Sequence, residues 1–139
     1  MDTESSVTAV EKYFFSPIYY PRSAWSVIGW WESRRPVYNL SVGAAGLVSI
    51  AALVFFGALP PALHDPGPPA VFVLAYGLVA NLCYTFGAPV DLLLRRILGD
   101  RAPAVSQAMF RYGFAFSIGL TLLPVPMAVM SWILRSIFG

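Results

Sequence analysis

Three stretches of this chain contain no charged residue, and each is long enough to cross a lipid bilayer. They run from Leu40 to Leu59, from Ala70 to Val90 and from Tyr112 to Leu134, and they are 20, 21 and 23 residues long. An α-helix rises about 1.5 Å per residue, so about 20 apolar residues cross the hydrocarbon of a membrane. The sequence therefore predicts an all-α integral membrane protein with three transmembrane helices.

The composition excludes an ordinary soluble domain. Of the 139 residues, 58% are hydrophobic and 12% are charged, whereas about 25% of the residues in soluble domains are charged. This length leaves room for one helical membrane unit. We expect an amino-terminal arm over residues 1–36 and a three-helix transmembrane bundle over residues 37–139, with spans at about 40–59, 70–90 and 112–134. A proline-rich loop over residues 60–69 should join the first two spans, and a polar turn through Gln107 and Arg111 should precede the third. A net charge of +2 does not indicate nucleic acid as a partner.

The segment before the first span is rich in aromatic residues. Residues 13–31 contain eight of them: Tyr13, Phe14, Phe15, Tyr19, Tyr20, Trp25, Trp30 and Trp31. Tryptophan and tyrosine are favoured at the depth of the lipid headgroups, where the ring and its polar edge both find partners. Two prolines and an arginine in the same segment argue against a fourth span. We expect an interfacial segment outside the hydrocarbon.

Within this segment, the pattern predicts an extended aromatic arm over residues 13–21 and then a short interfacial helix. Ser23 is the expected N-cap, and the helix is expected to run to about Arg35, before Pro36. Trp25, Ile28 and Trp31 would share one face of this helix. Two interpretations stay open, a membrane-surface anchor and a docking arm for another subunit.

Small and weakly polar residues recur at helical spacing on all three spans. Small residues allow helices in a membrane to approach closely, and a polar side chain there is expected to face protein, since lipid offers it no partner. In the third span, Pro124 and Pro126 must bend the helix or loosen its hydrogen bonds, either as a packing kink or as a gating hinge. The candidate residues for helix packing or partner contact are Ser41, Ala45, Ser49, Asn81, Thr85, Gly113, Ser117 and Thr121.

Charged residues flank the spans and are expected to gather near one membrane surface. The second helix is expected to continue past Pro89 to Leu98 and to end at Gly99. Asp91 and Arg95 are then spaced for an i, i+4 pair, and the wider group can form ion pairs or bind an anionic lipid headgroup. The candidate interfacial, lipid-contact or ion-pair residues are Trp25, Trp30, Trp31, Glu32, Arg34, Arg35, Asp91, Arg95, Arg96 and Arg111.

The basic residues also predict the orientation of the chain. With three spans, eight of the nine lysine and arginine residues fall on one side, and Arg135 alone falls on the other. Basic residues in short loops stay in the cytoplasm. The prediction is a multi-pass protein of the bacterial inner membrane, with a cytoplasmic amino terminus and a periplasmic carboxyl terminus.

The residues that catalysis or cofactor binding would require are sparse. The chain has one histidine and one cysteine, His64 and Cys83, on different predicted elements, so no metal site is expected. Nucleophilic catalysis would need a base near a serine, threonine or cysteine. None of the three charge-free stretches carries the ionisable group that ion coupling usually needs. We therefore expect no enzyme, no cofactor and no active transport by this chain alone.

One short segment carries a resemblance to known sequences. Residues 30–39, which read Trp-Trp-Glu-Ser-Arg-Arg-Pro-Val-Tyr-Asn, resemble a Trp-Trp-Glu-x-Arg-Arg-x-x-Tyr-Asn pattern of small bacterial membrane proteins whose function is not characterised. The resemblance implies a bacterial source and no particular activity. The three-span build also looks superficially like bacterial diacylglycerol kinase, but the membrane-embedded carboxylates of that kinase have no counterpart here.

These observations favour a non-catalytic subunit of a larger bacterial inner-membrane complex. Its expected partners are other membrane protein subunits and lipids, including anionic headgroups, and self-association is also open. A homo-oligomeric pore or membrane effector, lined by Asn81, Thr85 and the Pro124–Pro126 segment, is the first alternative. A lipid-modifying enzyme at the cytoplasmic rim, using Asp91 and nearby arginines, is the second.

Overall fold

A computed structural model describes residues 11–14, 23–61, 70–99 and 105–138. These ranges form no strand. Residues 11–14 are helical, and five longer helices follow: α1 (Ala24–Glu32), α2 (Arg35–Ala58), α3 (Ala70–Leu98), α4 (Val105–Leu122) and α5 (Pro124–Phe138). Three helical segments are long and apolar enough to cross a membrane, namely Ala24–Ala58, Ala70–Leu98 and Val105–Phe138. The predicted all-helical class with three membrane-spanning candidates is confirmed to that extent, and the helices indicate a multi-pass membrane protein.

The first apolar segment consists of α1 and α2, separated by a turn at Ser33 and Arg34. Ser23 caps α1 as predicted, because its hydroxyl accepts a hydrogen bond from the backbone N–H of Ser26 at 3.2 Å. The α1 helix ends at Glu32, earlier than predicted. Pro36 lies in the first turn of α2. Backbone N–H groups there have no acceptor within the helix, so the N–H that proline lacks is not needed. The helix therefore begins before the predicted span at Leu40.

The α3 helix runs through Pro89 and ends at Leu98. Gly99 follows with a φ of +56°, the left-handed conformation that commonly ends a helix. The sequence predicted this continuation to Leu98 and the stop at Gly99. As a result, the helix carries Asp91 and Arg95 beyond the predicted apolar span.

The third apolar segment consists of α4 and α5. The α4 helix begins at Val105, so the polar turn predicted through Gln107 and Arg111 is instead helical. The helix breaks at Leu123, and Pro124 begins α5, a position where proline fits because the first N–H groups of a helix lack acceptors in any case. The interruption predicted from the paired prolines is confirmed.

The chain divides into two compact units. The first unit comprises Met1–Pro36 and Cys83–Phe114, and the second comprises Val37–Leu82 and Ala115–Gly139. Val27, Asp91, Ser106 and Phe110 are the most deeply buried residues of the first unit. In the second unit, the buried residues are Tyr38, Val42, Ala45, Ser49, Gly57, Thr121 and Ala128.

Two predicted segments fall mainly outside the described ranges. Of the predicted extended arm, the structure describes only Tyr13 and Phe14, and these two residues are helical, which corrects the prediction at that point. The proline-rich loop predicted over residues 60–69 is described only at Pro60 and Pro61.

Candidate functional site

The first unit contains a buried carboxylate whose two oxygens both accept hydrogen bonds. Asp91 on α3 is 0% exposed. Its Oδ1 accepts from Nε of Arg95 at 2.9 Å, and its Oδ2 accepts from the indole Nε1 of Trp31 at 3.1 Å. Arg95 also donates to the hydroxyl of Ser106, near the start of α4. We call Trp31, Asp91, Arg95 and Ser106 the Asp91 cluster, and it connects α1, α3 and α4.

The indole of Trp31 occupies a notch on α3 that a glycine leaves open. A Cβ added to Gly87 would lie 2.6 Å from two carbons of the Trp31 ring, closer than nonbonded carbons can approach. Tyr84, one turn earlier on α3, donates from its hydroxyl to the backbone carbonyl of Trp31 at 2.6 Å. Its ring meets the indole edge to face at 5.5 Å between centroids. Glycine at position 87 is therefore required for the close approach of α1 to α3.

Arg34 is buried among aromatic rings and backbone carbonyls. Its guanidinium carbon lies 3.8 Å from the centroid of the Trp30 ring and 5.0 Å from that of Tyr13. Its Nη atoms donate to the carbonyl of Trp30 at 3.2 Å and to that of Tyr13 at 2.7 Å. Burial raises the pKa of the Tyr13 phenol, and the positive charge of Arg34 opposes that rise. The arginine joins residues 11–14 to the turn between α1 and α2.

Glu32 and Arg35 form an ion pair across the same turn. The guanidinium donates to both carboxylate oxygens, at 2.6 and 2.8 Å, and to the hydroxyl of Thr85 on α3 at 3.3 Å. The predicted pairing among charged residues thus takes a local form, because Glu32–Arg35 and Asp91–Arg95 are i, i+3 and i, i+4 pairs. In the first unit, the polar links between helices run from arginine, tryptophan or tyrosine to neutral or buried acceptors.

Only some of the predicted interfacial residues are exposed. Trp25 is 81% exposed, and Arg96 and Arg111 are exposed on α3 and α4. Trp30 and Trp31 are buried instead, and Trp31 is only 4% exposed. The buried residues of α1 are Val27, Trp30 and Trp31. The face predicted for Trp25, Ile28 and Trp31 is therefore not the face that α1 buries.

In the second unit, polar side chains satisfy the backbone where the third apolar segment breaks. The hydroxyl of Ser49 on α2 donates to the backbone carbonyl of Thr121 at 2.5 Å, two residues before the break at Leu123. The hydroxyl of Thr121 lies 2.6 Å from the carbonyl of Ser117, to which it donates, and 2.5 Å from the hydroxyl of Tyr76 on α3. We call Ser49, Tyr76, Ser117 and Thr121 the Thr121 cluster. Such satisfaction of backbone groups is what an apolar medium demands.

Tyr38 and Asn81 add polar contacts elsewhere in this unit. The phenol of Tyr38 on α2 contacts the hydroxyl of Ser117 at 3.1 Å and the carbonyl of Ala80 at 3.3 Å. The amide of Asn81 donates to the carbonyl of Gly77 in its own helix at 3.1 Å. Both residues lie on the walls of a groove between α2 and α3.

This groove comprises two cavities of the second unit that share wall residues, and Leu120, Thr121 and Pro124 also line the second cavity. The first has a volume of about 210 Å³ and the second about 180 Å³. They share the wall residues Gly46, Ile50, Val73 and Tyr76. Most of the lining is apolar, and glycines at positions 43, 46 and 77 deepen the groove because they have no side chain.

The predicted packing residues are placed in three ways. Ala45, Ser49 and Thr121 are buried, and Ser117 is half-buried beside Tyr38, so these four serve contacts within the chain. Thr85 accepts from Arg35, and Asn81 donates within α3. Ser41 is half-buried, whereas Gly113 is exposed, with no atom within 4 Å of an added Cβ. Gly113 therefore remains open to a neighbouring molecule.

Sequence reasoning missed several residues of these clusters. Ser106 lies where a polar turn was predicted, and only the helix beginning at Val105 turns it toward Arg95. Gly87 is one of two glycines in its charge-free stretch, and no local signal distinguishes it from Gly77. Tyr38 carried a signal, since a phenol in an apolar helix needs a hydrogen-bond partner.

In the described ranges, no three His, Cys, Asp or Glu side chains come together as metal ligands. Comparison of the chain with models of known protein families, with curated proteins and with solved structures gives no match.

Proposed function

We propose that this chain is a non-catalytic subunit of a larger protein complex in a bacterial inner membrane, and that it acts through helix contacts. The observation that carries the proposal is the state of Asp91, which is fully buried with both oxygens hydrogen-bonded. A general acid or base must reach the substrate directly or through water. Asp91 is instead used to hold helices together, which argues against a lipid-modifying enzyme built on this carboxylate.

The proposal also fits how the polar side chains of the second unit are used. A pore lining needs polar groups that face the permeating ion. The amide of Asn81 donates to a carbonyl of its own helix, and Ser49, Tyr76 and Thr121 bond to one another or to backbone. This pattern supports a structural role for these side chains and does not support the pore alternative.

The outward contact surface that we propose is on α4. Gly113 is exposed with open space beside it, and the neighbouring rings of Tyr112 and Phe116 are 73% and 70% exposed. A small residue flanked by aromatic rings lets a second helix approach closely while the rings cover its sides. We propose that a helix of another subunit packs here.

The sidedness of the chain is part of the proposal and rests on its basic residues. Arg96 and Arg111 are exposed and belong to the set expected in the cytoplasm. In a Cys83→Ala background, cysteines introduced at Arg96 and at Ser136 can be treated in intact cells with a maleimide that does not cross membranes. We expect labelling at position 136 and none at position 96 until the cells are opened. The reverse pattern would contradict the orientation.

The partner test uses the full-length chain, tagged and expressed at its native level in its own bacterium. Membranes are cross-linked, dissolved in a mild detergent and purified through the tag, and co-purifying chains are quantified by mass spectrometry. We expect at least one other membrane protein at a constant ratio to this chain. Gly113→Leu should lower that ratio at least tenfold, because the added side chain keeps the partner helix away.

Gly119→Leu provides the matched control. Gly119 lies on the same helix and is also open, with no atom within 4 Å of an added Cβ, but helical periodicity puts it on a different face from Gly113. This variant should retain the partner. A wild-type chain that emerges as a lone monomer after cross-linking would contradict the proposed function.

A further inference from the structure

The groove between α2 and α3 in the second unit has the dimensions of a hydrocarbon chain. Its two cavities of about 210 and 180 Å³ share the wall residues Gly46 and Tyr76, and an apolar cavity of about 150 Å³ already holds a benzene molecule. An α-helix with its side chains is about 10 Å across, so it could insert only single side chains into spaces this small. A chain of methylene groups is slim and flexible enough to enter both cavities, which share wall residues.

The groove is also long enough for such a chain. Its wall on α2 extends from Asn39 to Leu53, over which the helix rises about 21 Å. One leaflet of a bilayer contributes about half of the 30 Å hydrocarbon core, or about 15 Å. The groove can therefore follow an acyl chain from the membrane surface to the middle of the bilayer.

The polarity of the groove differs between its two ends. Tyr38, Asn39 and Asn81 line one end, and Asn39 is exposed. Leu53, Phe72 and Leu120 line the other end. An amphiphile has the matching arrangement, with hydrogen-bonding ester groups at one end and an apolar chain at the other. This complementarity favours a lipid over a second apolar helix.

The polar groups near the middle of the groove need no partner from a ligand. The hydroxyls of Tyr76 and Thr121 lie 2.5 Å apart, and Ser49 donates to the carbonyl of Thr121. Because these groups satisfy one another, they do not penalise the burial of methylene groups against them.

We propose that this groove binds one acyl chain of a phospholipid, with the ester region of the lipid at the amide of Asn39 and the chain end near Leu53 and Phe72. The lipid is a bound component of the protein and fills space that the helices leave open. This site does not depend on whether the chain has protein partners.

The first test is native mass spectrometry of the full-length protein released from a mild detergent. We expect a wild-type species that carries one phospholipid and keeps it at collision energies that strip detergent. Gly43→Leu and Gly77→Leu should abolish this adduct, because each puts a leucine into open groove space, with no atom within 4 Å of its Cβ. Leucine also favours a helix more than glycine does, so both variants should fold. Gly119→Leu, outside the groove, should keep the adduct.

The second test locates the lipid in liposomes of phosphatidylethanolamine and phosphatidylglycerol. A photoreactive phospholipid with a diazirine near the end of one acyl chain should cross-link to peptides that contain Leu53 or Phe72. A diazirine beside the ester should instead label the peptides around Asn39 and Asn81. Gly43→Leu should remove both products.

Three results would overturn the proposal. The first is a lipid adduct that survives unchanged in both Gly43→Leu and Gly77→Leu. The second is photolabelling that is spread over all spans and insensitive to the position of the diazirine. The third is a protein–protein cross-link that places a helix of a second copy, or of another protein, in the groove in place of the lipid.

Discussion

The substitution Gly87→Ala tests whether the close approach of Trp31 to α3 stabilises the first unit. The added Cβ would lie 2.6 Å from two carbons of the indole and 3.1 Å from a third, so the ring must move. Trp31 is enclosed by the rings of Tyr84 and Phe110. Any shift large enough to relieve the overlap also stretches the 3.1 Å hydrogen bond between its indole and Asp91.

The expected effect combines three contributions. Forcing a methyl group into a packed site costs about 1–3 kcal/mol. An acceptor left unmet on the fully buried Asp91 costs about 1–3 kcal/mol more. Alanine is about 1 kcal/mol more favourable than glycine in a helix, which offsets part of this loss. We therefore expect Gly87→Ala to lower the free energy of unfolding by about 3 kcal/mol.

The assay is unfolding of the purified protein in mixed micelles, with increasing amounts of SDS and helicity followed by circular dichroism. Gly77→Ala is the matched control on the same helix, because no atom lies within 4 Å of its added Cβ. It should be neutral or slightly stabilising. In a Trp31→Phe background the smaller ring leaves room for the methyl group, so the cost of Gly87→Ala should fall to near zero.

Two outcomes would refute this reasoning. In the first, Gly87→Ala and Gly77→Ala unfold at the same SDS fraction, which would mean that Trp31 relaxes without penalty. In the second, the cost of Gly87→Ala persists undiminished in the Trp31→Phe background, which would mean that the methyl group acts elsewhere.

Three further substitutions can be measured by the same titration. Ser49→Ala should lower the free energy of unfolding by about 1–2 kcal/mol, because it removes the donor to the Thr121 carbonyl; an unchanged free energy would mean that another group donates to this carbonyl. Asp91→Asn should cost about 3 kcal/mol, because Arg95 loses the charge of its buried partner; a variant as stable as the wild type would show that the ion pair adds nothing. Arg135→Gln should cost about 1 kcal/mol, because the guanidinium donates to a carbonyl in the last turn of α2 at 2.9 Å; an unchanged midpoint would rule out this contribution.

The apolar middle of each helix could be predicted from sequence, but only some of the helix ends could. A charge-free stretch must be helical in lipid, because only a helix satisfies its backbone there. Hydropathy alone does not show where the helix stops, since polar residues at its ends can be hydrogen-bonded. The α4 helix thus includes Gln107 and Arg111, whereas the end of α3 at Leu98 could be predicted, because the glycine that follows commonly ends a helix.

The orientation of α1 shows a second limit of sequence reasoning. Two apolar stripes overlap on this helix, one with Trp25, Ile28 and Trp31 and another with Val27, Trp30 and Trp31. Periodicity supports both equally. The choice depends on Asp91 and Gly87, which are distant in sequence and supply the acceptor and the space for Trp31. Only the second stripe is buried.

The small-residue strips were easier to recognise than their detailed contacts. Ser49, Ser117 and Thr121 stand out in an apolar sequence, and all three contribute to hydrogen bonds within the second unit. The sequence could not indicate that the acceptor for Ser49 would be the carbonyl of Thr121. That pairing depends on which residue of α2 lies beside the helix break at Leu123, and the paired prolines that predict the break do not indicate this.

The hydrogen bond from Trp31 to Asp91 also imposes an order on biosynthesis. The two residues are 60 positions apart, so a ribosome adding about 5–20 residues per second completes α1 about 3–12 seconds before it reaches Asp91. During that interval the indole of Trp31 lacks its acceptor Asp91 and the indole of Trp30 lacks the ring of Phe110, so both rings lie most favourably in the headgroup region of the bilayer. Final docking of α1 is consequently a late, post-insertion event, and a nascent chain arrested before Asp91 should have both rings open to quenchers dissolved in the membrane surface.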